Sequence, residues 1–167
     1  MAIIVGLRLL LLGLWLGAAL FFSAVVAPSV FSGLRAHHLP NVGEIAGTLV
    51  TRTLSVVNIS GFIISLIVLA TMFAFRRGYA PLSFVLETLS LITLALSTGV
   101  GHWVIAAKMH ALRAAMVLPI DQVPADDPGR LAFNNLHSYS VTALSVAMIA
   151  ALIAFAVIAY RAQPHTS

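Results

Sequence analysis

Four long apolar segments, separated by more polar connections, constrain this chain more than any other feature of its sequence. They cover about residues 6–27, 49–75, 82–106 and 139–160, and a helix needs roughly 20 residues to cross the hydrocarbon layer. Of the 167 residues, 60% are hydrophobic and 8% are charged, against about 45–50% and 25% in soluble domains. We therefore predict an all-α integral membrane four-helix bundle, a single four-span transmembrane domain over 1–167. A soluble enzyme, a disordered protein and a multidomain receptor are excluded.

The third and fourth helices are predicted to be longer than the membrane requires. Apart from Gly99 and Gly101, no helix breaker lies between Leu82 and Pro119. A helix of about 37 residues would be roughly 55 Å long, and the hydrocarbon layer is about 30 Å thick. The fourth helix starts with a capping acid and a proline and also exceeds the membrane thickness. Because both excess lengths lie on the same side, we expect a helical hairpin extended beyond the bilayer and closed by residues 118–128.

Small residues line one face of the first span. Gly6, Gly13 and Gly17 are seven and four residues apart, and the pair Gly13-xxx-Gly17 matches the motif that lets membrane helices pack closely. We interpret these glycines as helix-packing residues, within the bundle in preference to a homodimer. The first span is expected to end at Pro28, which begins a connection that continues to Gly47.

The charges and the missing cysteines restrict the partners and cofactors. Nine Lys and Arg residues give a net charge of +4 but form no basic run, which excludes a nucleic-acid partner. Basic residues near helix ends are typical of anchoring at anionic headgroups. The expected partners are therefore the lipid bilayer and then other membrane protein subunits or a second copy. The absence of cysteine excludes disulfides, iron–sulfur clusters and thiolate metal sites.

The basic residues also predict an orientation in the cell (inner) membrane. The side shared by both termini carries an arginine pair in a very short loop, whereas the basic residues of the other side are spread over two longer connections. Dense basic residues beside span ends are typical of the cytoplasmic side. We therefore expect cytoplasmic termini. The two sets are Arg8, Arg76, Arg77 and Arg161 against Arg35, Arg52, Lys108, Arg113 and Arg130.

Glu87 is the only acidic residue inside a predicted span. An ionisable residue in hydrocarbon is costly and is a functional candidate by default, so one hypothesis is a proton relay. The favoured hypothesis is that Glu87 pairs with an arginine or reaches the interface. Transport would need a polar path through the midplane or a broken helix. The only features of this kind in the predicted spans are the polar residue Asn58 and the glycines of the segment Gly99 to Gly101.

A denser set of polar residues lies where the third and fourth helices leave the predicted membrane. His110 and His137 fall at nearly equal depth, with His102 about two turns deeper. Two histidines at one level favour an axial pair for haem, or copper or zinc ligands. Neighbouring helices lie about 8–10 Å apart, which is narrow for a porphyrin. We therefore expect that these histidines bind no cofactor and form no metal site. The alternative is that they bind haem.

The favoured expectation for the same residues is a hydrogen-bonded polar cluster. It consists of Arg113, Arg130, Asn134 and His137, with the two arginines neutralised by Asp121, Asp126, Asp127 or lipid phosphate. No nucleophile motif, no phosphate-binding glycine loop and no facing pair of carboxylates is present in the sequence. We therefore predict no catalytic residues and a protein that is not an enzyme.

Several motifs resemble those of a known family. They are Leu14-Trp15-Leu16-Gly17, Phe22, Val25-Val26-Ala27-Pro28, Phe31, Ala46-Gly47, Leu112-Arg113 and Arg130-Leu-Ala-Phe133-Asn-Asn-Leu136-His137-Ser138-Tyr-Ser140. In this order they resemble the bacterial branch of the transmembrane protein 205-like family, also called domain of unknown function 4149. The resemblance implies a four-span membrane protein. The sequence is also distantly similar to four-helix families of copper resistance and of protoporphyrinogen oxidation, which use histidines in their spans. The first predicted span of this chain contains no histidine.

Three functional hypotheses remain from the sequence. The first is a non-enzymatic accessory subunit that packs against a larger membrane complex, favoured by the glycine face and the sparse polar interior. The second is a haem- or copper-binding redox or handling protein that uses His137 with His110 or His102. The third is permeation or efflux of a small molecule.

Overall fold

The computed structural model describes residues 2–37, 41–75 and 80–163, and these residues form four long helices. They are α1 (Ala2–Ala36), α2 (Val42–Ala74), α3 (Pro81–Ala115) and α4 (Pro128–Ala162). Each is long and apolar enough to cross a membrane, and no strand occurs within those ranges. The predicted all-α, multi-pass four-helix bundle is confirmed. The exact span limits within these helices stay predictions.

The helix starts follow from local sequence. The Asp127 side chain accepts hydrogen bonds from the backbone N–H groups of Gly129 and Arg130 at 2.8 and 3.1 Å, and Pro128 begins α4. A proline also begins α3, at Pro81. A carboxylate cap satisfies free N–H groups of the first turn, and proline has no N–H to leave unpaired there. The predicted start of α4 is therefore confirmed.

The first helix does not end at Pro28. A π-helical turn, Phe22–Val26, precedes this proline, and α1 then continues to Ala36. Proline cannot donate a hydrogen bond to the carbonyl four residues earlier, and a local π-helical turn lets the helix continue past it. Helix therefore occupies most of the predicted connection over residues 28–47, and the end of the first membrane span at Ala27 stays a prediction.

The four helices have similar lengths of 33 to 35 residues. The extra length that the sequence indicated for the third and fourth helices is therefore shared by the first two. An extension of the α3–α4 hairpin beyond the bilayer stays a prediction, and Met116 to Asp127 connect the two helices.

A second π-helical segment, Val100–Ala106, interrupts α3 directly after Gly99. Gly101 in this segment lies against Asn58 of α2, and an added Cβ atom would be 3.1 Å from the Asn58 Nδ2 atom. Asn58 is buried. The two breaks in the apolar pattern that the sequence showed, at Asn58 and at Gly99 to Gly101, therefore meet in the interior of the bundle.

The hydrophobic core occupies the half of the bundle in which α1 begins and α4 ends, which we call the packed half. Its buried members are Leu12, Trp15, Ala19, Phe22, Val57, Val68, Leu91, Leu94, Leu144, Ala147, Ala150, Ala151, Ala154 and Ile158. Alanines on α4 let that helix lie close to α1 and α3. In the other half, which we call the open half, neither Ala27–Ala36 nor Ala107–Ala115 contains a buried residue.

Trp15 fixes α1 against α2 in the packed half. Its Nε1 atom donates a hydrogen bond to the Val57 carbonyl at 2.8 Å, and its ring lies directly on Gly61. A Cβ atom added at Gly61 would be 2.7 Å from ring atoms of Trp15. Only a residue without a side chain fits beneath the indole ring at this distance.

We predict that Gly61→Ala lowers the stability by about 1–3 kcal/mol, because the added methyl group overpacks a buried contact. Gly17→Ala is the matched control, since a Cβ atom at Gly17 would meet nothing within 4 Å and alanine favours helix by roughly 0.5–1 kcal/mol. Unfolding midpoints in one detergent measure both. A Gly61→Ala variant as stable as Gly17→Ala would contradict this account.

Candidate functional site: two adjoining cavities in the open half

A cavity of about 350 Å³ lies between all four helices at the start of the open half. We call it the four-helix cavity. Its wall is mostly apolar, with Phe31 from α1, Leu54 from α2, Met109 from α3 and Leu144 from α4. The polar atoms of the lining come from Ser23, Thr51, His137, Ser140 and Ser145.

A second cavity of about 460 Å³ adjoins it. We call this the charged cavity, because Glu44, Arg52, His110 and Arg113 line it. It lies between the first turns of α2, the last turns of α3, the α3–α4 connection at Ile120 and Phe133 of α4. Thr51, Ala106 and Met109 line both cavities. An apolar chamber and a charged chamber therefore share one wall.

The π-helical turns contribute to this site. Phe22 and Ser23 belong to the π-helical turn in α1, and Ala106 is the last residue of the π-helical segment in α3. All three residues line the four-helix cavity. An inserted π-helical turn changes the direction in which the following side chains project, and such turns are frequent at functional sites. Here the core ends where these turns begin.

Arg113 forms the ion pair of the charged cavity with Glu44. Its Nη2 atom lies 2.5 Å from Glu44 Oε2, and its Nη1 atom donates to the Leu118 carbonyl at 3.0 Å. Glu44 lies in the first turn of α2, where a negative charge interacts favourably with the helix dipole. The predicted partners Asp121, Asp126 and Asp127 are wrong for Arg113, because the acid comes from α2 and not from the α3–α4 connection.

The four residues of the predicted polar cluster do not form one network. Arg130 donates to the Val123 carbonyl, Arg113 pairs with Glu44, and Asn134 and His137 are exposed. Among the described residues, no hydrogen bond or ion pair joins any two of these four side chains. The arginines instead hold different parts of the α3–α4 connection, and His137 contributes to the four-helix cavity.

The three candidate histidines are also separated. His137 lines the four-helix cavity and His110 the charged cavity. His102 packs edge-on against Trp103 at 5.1 Å, and its Nδ1 atom is buried without a hydrogen-bond partner among the residues that the structure describes. His110 and His137 thus line different, adjoining cavities, and no group of three metal-ligating side chains occurs in the described ranges. Binding of haem or copper by these residues stays a prediction.

The glycine face of α1 is largely uncovered. Gly6 and Gly17 are exposed, and a Cβ atom at either would meet no described atom within 4 Å. At Gly13 it would meet the Phe155 ring of α4 at 3.4 Å. Packing within the bundle, the interpretation favoured by the sequence, is therefore found at Gly13 and not at Gly6 or Gly17.

The packed half contains a buried ion cluster around Glu87. Glu87 is fully buried, its Oε2 atom accepts a hydrogen bond from Arg161 Nη1 at 3.3 Å, and its Oε1 atom lies 3.7 Å from Arg8 Nη1. Arg8 Nε also donates to Thr71 Oγ1 at 2.9 Å. The predicted pairing of Glu87 with an arginine is confirmed. The cluster connects all four helices.

The sequence analysis missed that Arg8 lies inside the bundle. It counted Arg8 as a flanking charge, whereas its exposed fraction in the structure is 4%. A signal was present, because Arg8 is followed by Leu12, Trp15 and Ala19 at helical spacing, and all four are buried.

We predict that Glu87→Gln lowers the stability by about 3 kcal/mol, since it leaves two guanidinium groups in the bundle without their carboxylate. Glu44→Gln is the control, because that ion pair is partly exposed and exposed pairs contribute about 1 kcal/mol or less. Unfolding midpoints of both variants in the same detergent give the comparison. Equal losses would show that burial of Glu87 does not matter.

The family assignment follows from a match over α1, α2 and α3. Residues 10–117 match the model of a domain of unknown function, DUF4149. The chain belongs to this family. In this DUF4149 protein the matched segment contains the residues from Gly43 to Arg113 that line the charged cavity. His137 and the motif from Arg130 to Ser140 lie outside the matched segment. No curated protein and no solved structure matches the chain.

Proposed function

We propose that this DUF4149 protein binds a hydrophobic molecule from the membrane in the four-helix cavity. The observation that supports this proposal is an apolar chamber lined by all four helices at the point where the core stops. Its volume of about 350 Å³ lies within the roughly 300–1,000 Å³ typical of ligand sites. A chamber between membrane helices is accessible to molecules that are dissolved in the bilayer.

The side chains around the chamber favour a binding role over a purely structural one. Small residues, namely Ala27, Ala106 and Ser140, stand at positions of its wall where a larger apolar side chain would fill the space. Unfilled space in a protein interior costs stability, because the lining atoms lose their packing partners. A bound apolar group would restore those contacts.

We propose binding without catalysis. The four-helix cavity has one imidazole, from His137, and hydroxyl groups, but no carboxylate among its lining residues. The acid of the neighbouring cavity, Glu44, is already paired with Arg113. Nucleophilic catalysis uses a base that lies within hydrogen-bond reach of a nucleophile and is oriented by a third group, and His137 makes no side-chain hydrogen bond to a described residue.

The test is photolabelling of the purified protein with palmitoyl lysophosphatidylcholine that carries a diazirine in its chain. We predict that Ala106→Phe, which fills the wall between the two cavities, removes most of the label from peptides containing Met109 and Met148. Ala107→Phe is the matched control, because Ala107 is the next residue and is exposed. Peptide mass spectrometry measures the label.

Label of equal extent in both variants would overturn the proposal, since it would come from lipid around the outside of the bundle. Unfolding midpoints of the two variants show whether either has lost its fold. A wild-type protein labelled only on outward-facing residues would overturn it as well.

We also propose, as a second role, that the chain associates with a larger membrane protein or a second copy through α1. Gly6 and Gly17 are uncovered, and 22% of the apolar window of α1 is buried, against 33–39% in the other helices. Small residues on an uncovered face allow close helix packing in lipid. The uncovered glycine face of α1 is therefore the surface through which we propose that this chain would associate as an accessory subunit.

We predict that Gly17→Ile releases an associated subunit and Gly33→Ile does not, since Gly33 is also exposed on α1 but lies in the open half. Light scattering of the protein extracted in mild detergent gives the mass of the complex. A wild-type protein that is alone and monodisperse would contradict the second role.

We further propose that the protein lies in the inner membrane with cytoplasmic termini. The arginines near the terminal side support this orientation, although Arg8 is buried in the ion cluster and adds nothing to a loop charge. Reporter fusions at the carboxyl end, one fluorescent only in the cytoplasm and one active only outside it, distinguish the two orientations.

A further inference from the structure

The charged cavity has an excess of positive charge. Arg113 is compensated by Glu44, whereas Arg52 makes no ion pair with any described residue although its side chain lines the same cavity. The other ionisable side chain of the lining is His110. Arg52 is exposed, so its guanidinium group is available to a group from outside the described chain.

A donor of Arg113 is also unused. Its Nε atom is buried and has no hydrogen-bond partner among the described residues, while its two other nitrogens hold Glu44 and the Leu118 carbonyl. Leaving a buried donor unpaired costs free energy. The Arg113 guanidinium, which lines the charged cavity, therefore keeps a hydrogen-bonding capacity that its partners in the described chain do not use.

The position of the charged cavity relates this charge to the apolar chamber. Arg52 lines the charged cavity together with Thr51, Ala106 and Met109, the three residues that also line the four-helix cavity. A molecule with an apolar chain in the four-helix cavity would thus bring its polar end next to Arg52. Guanidinium groups match the geometry of phosphate and bind it through paired hydrogen bonds.

We propose that the two cavities together bind one anionic phospholipid, with an acyl chain in the four-helix cavity and the phosphate at Arg52 and Arg113. This proposal depends on the proposed function for the chain and adds the headgroup. The apolar chamber selects a lipid over a free phosphate ion, because only a lipid fills both cavities. The uncompensated Arg52 selects an anionic headgroup over a zwitterionic one.

The experiment is competition against the photolabel with two unlabelled lipids that carry the same chain, at equal mole fractions in neutral detergent. Palmitoyl lysophosphatidylglycerol is anionic and palmitoyl lysophosphatidylcholine is zwitterionic. We expect the anionic lipid to halve the label at a concentration about tenfold lower, as a hydrogen-bonded charged contact would produce. Added salt should reduce this preference.

Arg52→Gln should remove the preference for the anionic lipid and leave labelling by the zwitterionic probe in place. Lys108→Gln is the control of equal charge change, because Lys108 is exposed and is absent from the lining of both cavities. It should keep the tenfold preference. Neither substitution removes a partner of Glu44, so the Arg113 ion pair is preserved.

The outcomes separate this proposal from the proposed function. Equal competition by the two lipids in the wild type overturns the headgroup assignment and leaves chain binding in place. A loss of preference in Lys108→Gln as large as that in Arg52→Gln also overturns it, since overall charge would then explain the effect. Label that neither lipid displaces overturns chain binding in the four-helix cavity together with the headgroup assignment.

Discussion

The carboxylate of Glu87, enclosed by apolar helices, is the constraint on which the packed half depends. A buried charge is tolerated when it is paired and hydrogen-bonded, and Arg8 and Arg161 supply the opposite charges while Thr71 accepts from Arg8. Since these residues belong to α3, α1, α4 and α2, one cluster specifies how all four helices are placed in the packed half. Apolar side chains in lipid cannot do this, because they interact as favourably with lipid tails as with one another.

The same bundle is built differently towards its other end. Trp15 on Gly61 and the alanines of α4 close the packed half, whereas the π-helical turns in α1 and α3 precede segments without buried residues. Close packing supplies stability and leaves no room for a ligand. The open half gives up part of this packing around two adjoining cavities, and its ion pair of Arg113 with Glu44 anchors the α3–α4 connection rather than the core. Stability and the proposed binding function are thus located at opposite ends.

The sequence predicted parts of the candidate site, but not their arrangement. The sequence grouped Arg130, Asn134 and His137 with Arg113 in one predicted cluster, yet residues on one helix do not specify what lies opposite them, and the structure joins none of the three side chains to Arg113. Equal depth of His110 and His137 along their helices did not place them in one space, because the rotation of each helix about its axis is set by packing. Glu44 was not recognised as the partner of Arg113, since the two are 69 residues apart and Glu44 was expected to lie in a connection.

The sequence by itself determined that this chain forms four membrane-spanning helices, since an apolar segment of that length in lipid must satisfy its backbone hydrogen bonds internally. It also determined the start of α4, because the Asp127 cap and Pro128 act within one turn. The tertiary structure decided what lies between the helices. The pairing of Arg8 with Glu87, the continuation of α1 past Pro28 and the two cavities depend on contacts between residues far apart in sequence, and a local pattern contains no information about the side chain on the opposite helix.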